Sequence, residues 1–272
     1  MENIKVYYIN LDKRTERNTD VLEKLNYLGF KDENIKRFSA VNGKNIKNDL
    51  KKKNYMNNEI IDILKNKKIN IRLGELGASL SHYFIFEDII KDESISDDTI
   101  IFIFEDDFFL NINHLSENPF EKFINDLKTF DKNYWDLIFI GGRFKEGFTI
   151  NNINESKFYE RIYKNFYKKI YGLVNKQYKY HTDRTLHSYI IQKKTAIKLK
   201  EFYKYIYEKK NIFVADHILE FIDNINEIDE EYRNIIKYDY FPHLFYSPIN
   251  YKTDIQHDFS IINTSELLIN DI

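Results

Sequence analysis

The chain has 272 residues, 43% hydrophobic and 31% charged, with 41 Lys and Arg against 43 Asp and Glu for a formal net charge of −2. That balance excludes a disordered tail and a protein devoted to coating nucleic acid, and the length allows a sizeable core. With no cysteine, a disulfide framework, a cysteine nucleophile and a thiolate metal site are excluded as well.

In chain order, Val6 to Leu11 reads as a buried strand, followed by a helix from Arg14 to Leu28 with Val21, Leu22, Leu25 and Leu28 on one face and Gly29 as its stop. Ile35 to Ala40 is a second strand that ends in the turn Val41-Asn42-Gly43. The polar stretch Asp49 to Asn66 is predicted as helix. So is Leu73 to Lys91, where Leu76, Leu80, Tyr83 and Ile90 share a face. Ile100 to Phe104 is the strongest strand signal. A helix over Phe120 to Phe130 leads to a strand over Trp135 to Ile140, closed by Gly141-Gly142. Residues 145–182, rich in Lys, Tyr and Asn, carry no clear period. Beyond them Leu186 to Ile191 reads as strand, Thr195 to Tyr207 and Ala215 to Ile222 as helices, and Ile235 to Tyr240 as a strand before Pro242. Strands alternating with helices predict an α/β layer fold with a mostly parallel central sheet flanked by helices. No Pro- or Ser-rich linker separates the halves, so one continuous domain over 1–272 is expected. No run approaches the roughly 18 apolar residues that span a bilayer, and the first residues have no leader pattern. A cytoplasmic location is therefore expected.

Three carboxylates, Glu105-Asp106-Asp107, follow the strongest strand directly. Open α/β sheets present ligands at such strand ends. Like charges this close need compensation, which a hard divalent cation supplies when carboxylates and substrate phosphates share it. The alternative is a solvated turn. In Gly74-Glu75-Leu76-Gly77-Ala78-Ser79-Leu80-Ser81-His82, two glycines three apart permit close backbone approach to a ligand; they equally suit a tight helix entry, with His82 an ordinary polar residue. Arg14 and Arg17, after the first strand, suit a diphosphate clamp or pairs with nearby carboxylates. Asp216, beside Val214, Ile218 and Leu219, suits a general base in partly apolar surroundings or a helix N-terminal carboxylate. Lys164, Lys168, Lys169, Lys176 and Lys179 interleave with Tyr163, Phe166, Tyr167, Tyr171 and Tyr178. That mix serves single-stranded nucleic acid or sugar stacking; nothing else in the chain supports nucleic acid, and we read the segment as a flap or acceptor-side loop.

Taken together and in order, these pieces resemble glycosyltransferase family 25, which includes bacterial lipooligosaccharide glycosyltransferases and procollagen galactosyltransferases. The resemblance runs from Tyr8-Ile9-Asn10-Leu11-Asp12-Lys13-Arg14 and Arg17, through Ser39-Ala40-Val41-Asn42-Gly43-Lys44, Gly74-Glu75-Leu76-Gly77 and Leu80-Ser81-His82-Tyr83, to Glu105-Asp106-Asp107. It continues with Trp135-Asp136-Leu137-Ile138, Ser188-Tyr189-Ile190-Ile191, Asp216, and Pro242 through Asp254. Several of these segments look closer to the procollagen branch. Ala78 and Leu73 depart from it, standing where a cysteine and a lysine are common.

The resemblance implies a GT-A-type, Rossmann-like fold whose residues 1–144 bind a nucleotide sugar and whose residues 145–272 face the acceptor. It implies a UDP-sugar donor, Mn²⁺ or Mg²⁺, inversion at the anomeric carbon, and a glycan or collagen-like protein as acceptor. Residue by residue, Glu105 and Asp107 are expected at the metal, and Asp254 at the metal or else at the acceptor. Asn10, Leu11, Arg14, Arg17, Val41, Gly43, Gly77, Ser81 and Asp106 are expected around the nucleotide, and Asp216 as the base. The competing readings are a metal-dependent phosphohydrolase and a non-catalytic sugar-binding protein on the same fold.

Overall fold

Alternation along the strands organises the molecule. In β1 (Ile4–Asn10), Tyr7 and Ile9 enter one apolar core while Ile4, Val6 and Tyr8 enter a second on the opposite face. In β4 (Ile100–Glu105), Ile101 and Ile103 join the first core, Phe102 and Phe104 the second. A strand that is apolar on both faces must be covered on both. The computed structural model describes residues 3–67, 70–111, 118–142, 159–169, 186–212, 214–222, 228–246 and 261–263.

Between and after these strands come α1 (Thr15–Tyr27), β2 (Ile35–Ser39), α2 (Ile46–Lys52), α3 (Glu59–Lys65), β3 (Asn70–Arg72) and α4 (Leu73–Lys91), then β5 (Phe109–Leu110), α5 (Pro119–Thr129), β6 (Leu137–Phe139) and β7 (Gly141–Gly142). The second half adds β8 (Tyr159–Tyr163), β9 (Phe166–Lys169), β10 (Ser188–Gln192), α6 (Lys193–Tyr205), α7 (Ala215–Phe221), β11 (Lys237–Tyr240), β12 (Phe245–Tyr246) and β13 (Ile261–Asn263). The central sheet has eight strands in the order β2-β1-β4-β10-β6-β11-β9-β8. β1 pairs in parallel with both β2 and β4, and β11 with β6. β10 lies antiparallel between β4 and β6, and β9 antiparallel between β11 and β8. Six of the eight strands therefore point one way, but the reversed β10 and β9 make four of the seven pairings antiparallel; the expected α/β sheet flanked by helices is present as a mixed sheet. Helices α2, α3, α4, α6 and α7 supply the first core and α1 and α5 the second.

The α4 helix keeps its predicted ends, but it is buried nearly all round: Ser79, His82, Phe84 and Phe86 are covered along with Leu76, Leu80 and Tyr83. It packs against α6 and α7 as well as the sheet, so a single apolar stripe understates its role.

The predicted helix over Asp49 to Asn66 is two helices. The chain breaks at Asn54, whose φ of +59° is left-handed, and restarts at Asn58, whose side chain caps Ile60 N–H. The stretch without period hides a hairpin, β8–β9. Phe166 and Tyr167 are buried there at the sheet edge, so this part of the Lys/Tyr segment is structural; residues 170–185 lie outside the described set. Among the described residues no helix is long and apolar enough to cross a membrane.

Candidate active site

The order β2-β1-β4 makes a crevice. From β1 the chain first moves outward to β2 and later returns on the other flank as β4. The C-terminal ends of parallel strands around such a reversal splay apart and leave a ligand site. A cleft of about 700 Å³ of atom-free space, open solvent included, lies there. Its walls are Ile9, Leu11, Lys13 and Arg17 after β1, Ala40 to Lys44 after β2, Gly74, Ala78 and Ser81 on α4, and Glu105, Asp106 and Asp107 after β4. Positions 74, 78 and 81 repeat at helical spacing, so one face of α4 forms the wall. A larger cavity of about 1530 Å³ lies against α5, lined by residues such as Tyr27, Phe120 and Phe245. Its described walls carry a single carboxylate, Glu121.

The triplet splits by strand parity. Glu105 continues the face of Ile101 and Ile103 toward α4, where its Oε1 lies 2.9 Å from His82 Nε2. Asp106 goes to the opposite side and meets α1: Arg17 Nη1 donates to Oδ1 at 2.7 Å, and Asn10 Nδ2 donates to Oδ2 at 2.8 Å. Asn10 is itself held by Arg37 Nε at 3.0 Å, and Arg37 pairs with Asp12 at 2.8 Å. Asp107 receives no such help. It is 9% exposed, and its Oδ1 has no hydrogen-bond partner among the described residues. Burial, then repulsion from Glu105 and Asp106, push its carboxyl up to about 8 against the pull of Arg17; Asp216 adds to the rise. His82 is fully buried, which lowers its imidazole to about 4 and keeps it neutral.

Loop 41–43 is seated on α4 by glycine packing. A Cβ on Gly77 would stand 2.7 Å from Val41 O and 2.8 Å from Gly43 N; one on Gly43 would stand 2.0 Å from Leu73 O. Ser81 Oγ accepts from Val41 N at 2.8 Å and donates to Gly77 O at 2.7 Å. Gly77 thus brings the loop into place from beneath the cleft wall.

Of the residues expected from sequence, Leu11, Arg17, Val41, Gly43, Ser81, Glu105, Asp106 and Asp107 line one cleft, with Asn10 and Gly77 packed behind them. Arg14 does not line it; its guanidinium pairs with Glu16 at 3.2 Å. Asp216, on α7, accepts a hydrogen bond from Leu186 N at 3.0 Å and is near enough to bias Asp107 and His82 electrostatically. Asp254 lies outside the described residues. Sequence reading missed His82, Tyr189 and Arg37 as members of the network, and Lys13 and Lys44 as cleft walls. Strand parity was an available signal for the first two, since Glu105 and Tyr189 fall on the α4 face; Arg37 offered none.

A family model for glycosyltransferase family 25, described as an LPS biosynthesis protein family, matches residues 3–219. The chain belongs to glycosyltransferase family 25. It is a glycosyltransferase, which implies a nucleotide-sugar donor and a glycan acceptor and speaks against the phosphohydrolase reading. The match takes in every cleft wall named above, together with Asp216. No curated protein sequence matches the chain.

For a family 25 transferase the question of a cation rests on the donor set. Among the described residues no group of three or more His, Asp or Glu side chains is arranged to hold a metal. Two carboxylates nevertheless suffice for Mg²⁺ or Mn²⁺, which complete their shells with water and substrate phosphates. Asp106 is already satisfied by Arg17 and Asn10, so the pair that fits is Glu105 and Asp107.

Proposed function

We propose that the chain is a metal-dependent, inverting hexosyltransferase that moves galactose or glucose from a UDP-sugar to a hydroxyl of a glycan or a collagen-like protein. The observation that carries this reading is the buried carboxylate oxygen of Asp107, without a hydrogen-bond partner among the described residues, beside Glu105 in the switch-point cleft. Burying a charge without a partner is costly, and a ligand that brings positive charge removes the cost.

In this reading Glu105 and Asp107 hold Mn²⁺ or Mg²⁺, with Asp254 a further ligand. When bound, the cation offsets the negative charge on the departing diphosphate. Arg17 and Asn10 keep the Asp106 carboxylate turned away from that position, so the triplet offers the donor an asymmetric site. Leu11, Val41, Gly43 and Ser81 shape the nucleotide wall, and Lys13 and Lys44 add positive charge at its rim. Asp216 takes the proton from the acceptor hydroxyl as the new bond forms on the face opposite the leaving group, as inversion requires. Residues 1–144 then serve the donor, and 145–272 the acceptor, within one transferase unit.

The test is a thermal-shift panel of UDP-, GDP- and CMP-sugars with and without Mn²⁺. UDP-sugars with Mn²⁺ are expected to stabilise by about 2.7 kcal/mol at a hundred times the dissociation constant. An equal response to all three nucleotides, or no effect of Mn²⁺, refutes the donor or the metal reading respectively. Asp216→Asn is expected to abolish transfer with donor binding kept; a collapse of donor binding would move the base elsewhere.

A further inference from the structure

Glu105 reaches the cleft from a strand end, and a glutamate there has three side-chain torsions to settle. One contact that settles them comes from the core. His82 Nε2 lies 2.9 Å from Glu105 Oε1, and the other ring nitrogen, Nδ1, lies 2.9 Å from Tyr189 OH. His82 is 0% and Tyr189 0% exposed, in the middle of α4 and β10. Their rings pack 5.7 Å apart. Tyr189 is fixed in turn by the sheet, paired with Ile103 on one side and Phe139 on the other.

The polarity of this chain follows from the inventory of donors and acceptors. An ionised carboxylate only accepts, so the hydrogen between His82 and Glu105 sits on Nε2. With one proton on the ring, Nδ1 is an acceptor, and the tyrosine hydroxyl must donate to it. The direction is Tyr189 O–H to His82 Nδ1, then His82 Nε2–H to Glu105.

We infer that His82 is a positioning residue for Glu105, locked in its Nε2–H tautomer by the Tyr189 hydroxyl, and that this buried pair sets the carboxylate geometry that receives the cation. The inference deepens the metal reading above and rests on it. Metal sites depend on partners of this kind, and losing one costs 10–100-fold in metal affinity or activity.

The experiment uses the whole chain and reads Mn²⁺ uptake in the presence of UDP by electron paramagnetic resonance of free Mn²⁺, UDP affinity without metal, and the ¹⁵N shifts of His82. In the wild type, Nε2 is expected protonated and Nδ1 unprotonated. His82→Phe is expected to weaken Mn²⁺ about 10–100-fold while metal-free UDP affinity stays unchanged, and His82→Gln, which restores a donor, to recover part of the loss. Tyr189→Phe removes one buried hydroxyl and keeps the ring, so it serves if His82→Phe does not fold; a loss of several-fold in Mn²⁺ affinity is expected. A wild type protonated at Nδ1, or wild-type Mn²⁺ affinity in both His82→Phe and Tyr189→Phe, overturns the inference. A wild type that takes up no Mn²⁺ overturns the metal reading instead, and the tautomer then decides the positioning role alone.

Discussion

The fold buries aspartates in two ways, with and without hydrogen-bond partners among the described residues. Behind β6, Asp136 is 4% exposed and fully engaged: Ile236 N donates to Oδ2 at 2.9 Å, and Lys198 Nζ to Oδ1 at 2.8 Å. Under β9, Asp126 is 6% exposed and takes Tyr240 OH at 3.0 Å and Lys164 Nζ at 3.1 Å. At the end of β4, Asp107 is buried to a similar degree, yet Oδ1 has no hydrogen-bond partner among the described residues. The first two carboxylates are finished structure, binding strand and helix ends together. The third is held in its neutral form by burial and by repulsion from Glu105 and Asp106. Under the proposed function, that difference separates what holds the fold from what awaits the donor and its cation.

The contrast breaks most visibly at Asp107. Asp107→Asn is expected to lower the transfer rate by about a thousandfold, on the order of 4 kcal/mol of transition-state stabilisation. It should also raise the melting temperature without metal, because a desolvated carboxylate is gone. Initial rates of UDP release with and without Mn²⁺, beside thermal scans, read both; unchanged turnover would erase the distinction drawn here.

Asp136→Ala is expected to do the reverse. It leaves Ile236 N–H without its partner and costs about 1–3 kcal/mol of stability, read as a melting temperature lower by roughly 2–4 °C for each kcal/mol. Mn²⁺ uptake should stay at the wild-type level, and a parallel loss of uptake would show that the two regions are one.

The smallest effect is expected at Asp92. The Ser94 hydroxyl most of all, helped by Ser94 N–H, the Tyr7 hydroxyl and Lys36 against some burial, holds its carboxyl down at about 2, the opposite of Asp107. A depressed acid contributes stability above its ordinary value near 4 and loses it as pH falls through the folded value. Asp92→Asn should therefore flatten the stability curve between about pH 4 and pH 2 and leave the slope at neutral pH alone. Urea midpoints across that range check it; an unchanged acid limb would remove Asp92 from the account.

Much of this was legible in residue order. The apolar run Ile100 to Phe104 followed by three acids marks a ligand-bearing strand end whatever surrounds it, because the pattern needs only a strand period and charge repulsion. Gly74 and Gly77 were legible as close-approach positions, and the backbone of Val41 and Gly43 does approach Gly77. The hairpin at β8–β9 was not legible, since its strands are short and mixed in polarity and exist through pairing with β11.

Sequence alone determined that this is an α/β transferase with carboxylates at the tip of β4. Only the tertiary structure decided what each carboxylate does. Asp106 is answered by an arginine 89 positions away, Glu105 by a histidine 23 positions away, and that histidine by a tyrosine 107 positions further on. Such partners are chosen by strand register and helix packing, which local pattern does not encode, and the same register left Asp107 Oδ1 without a hydrogen bond among the described residues.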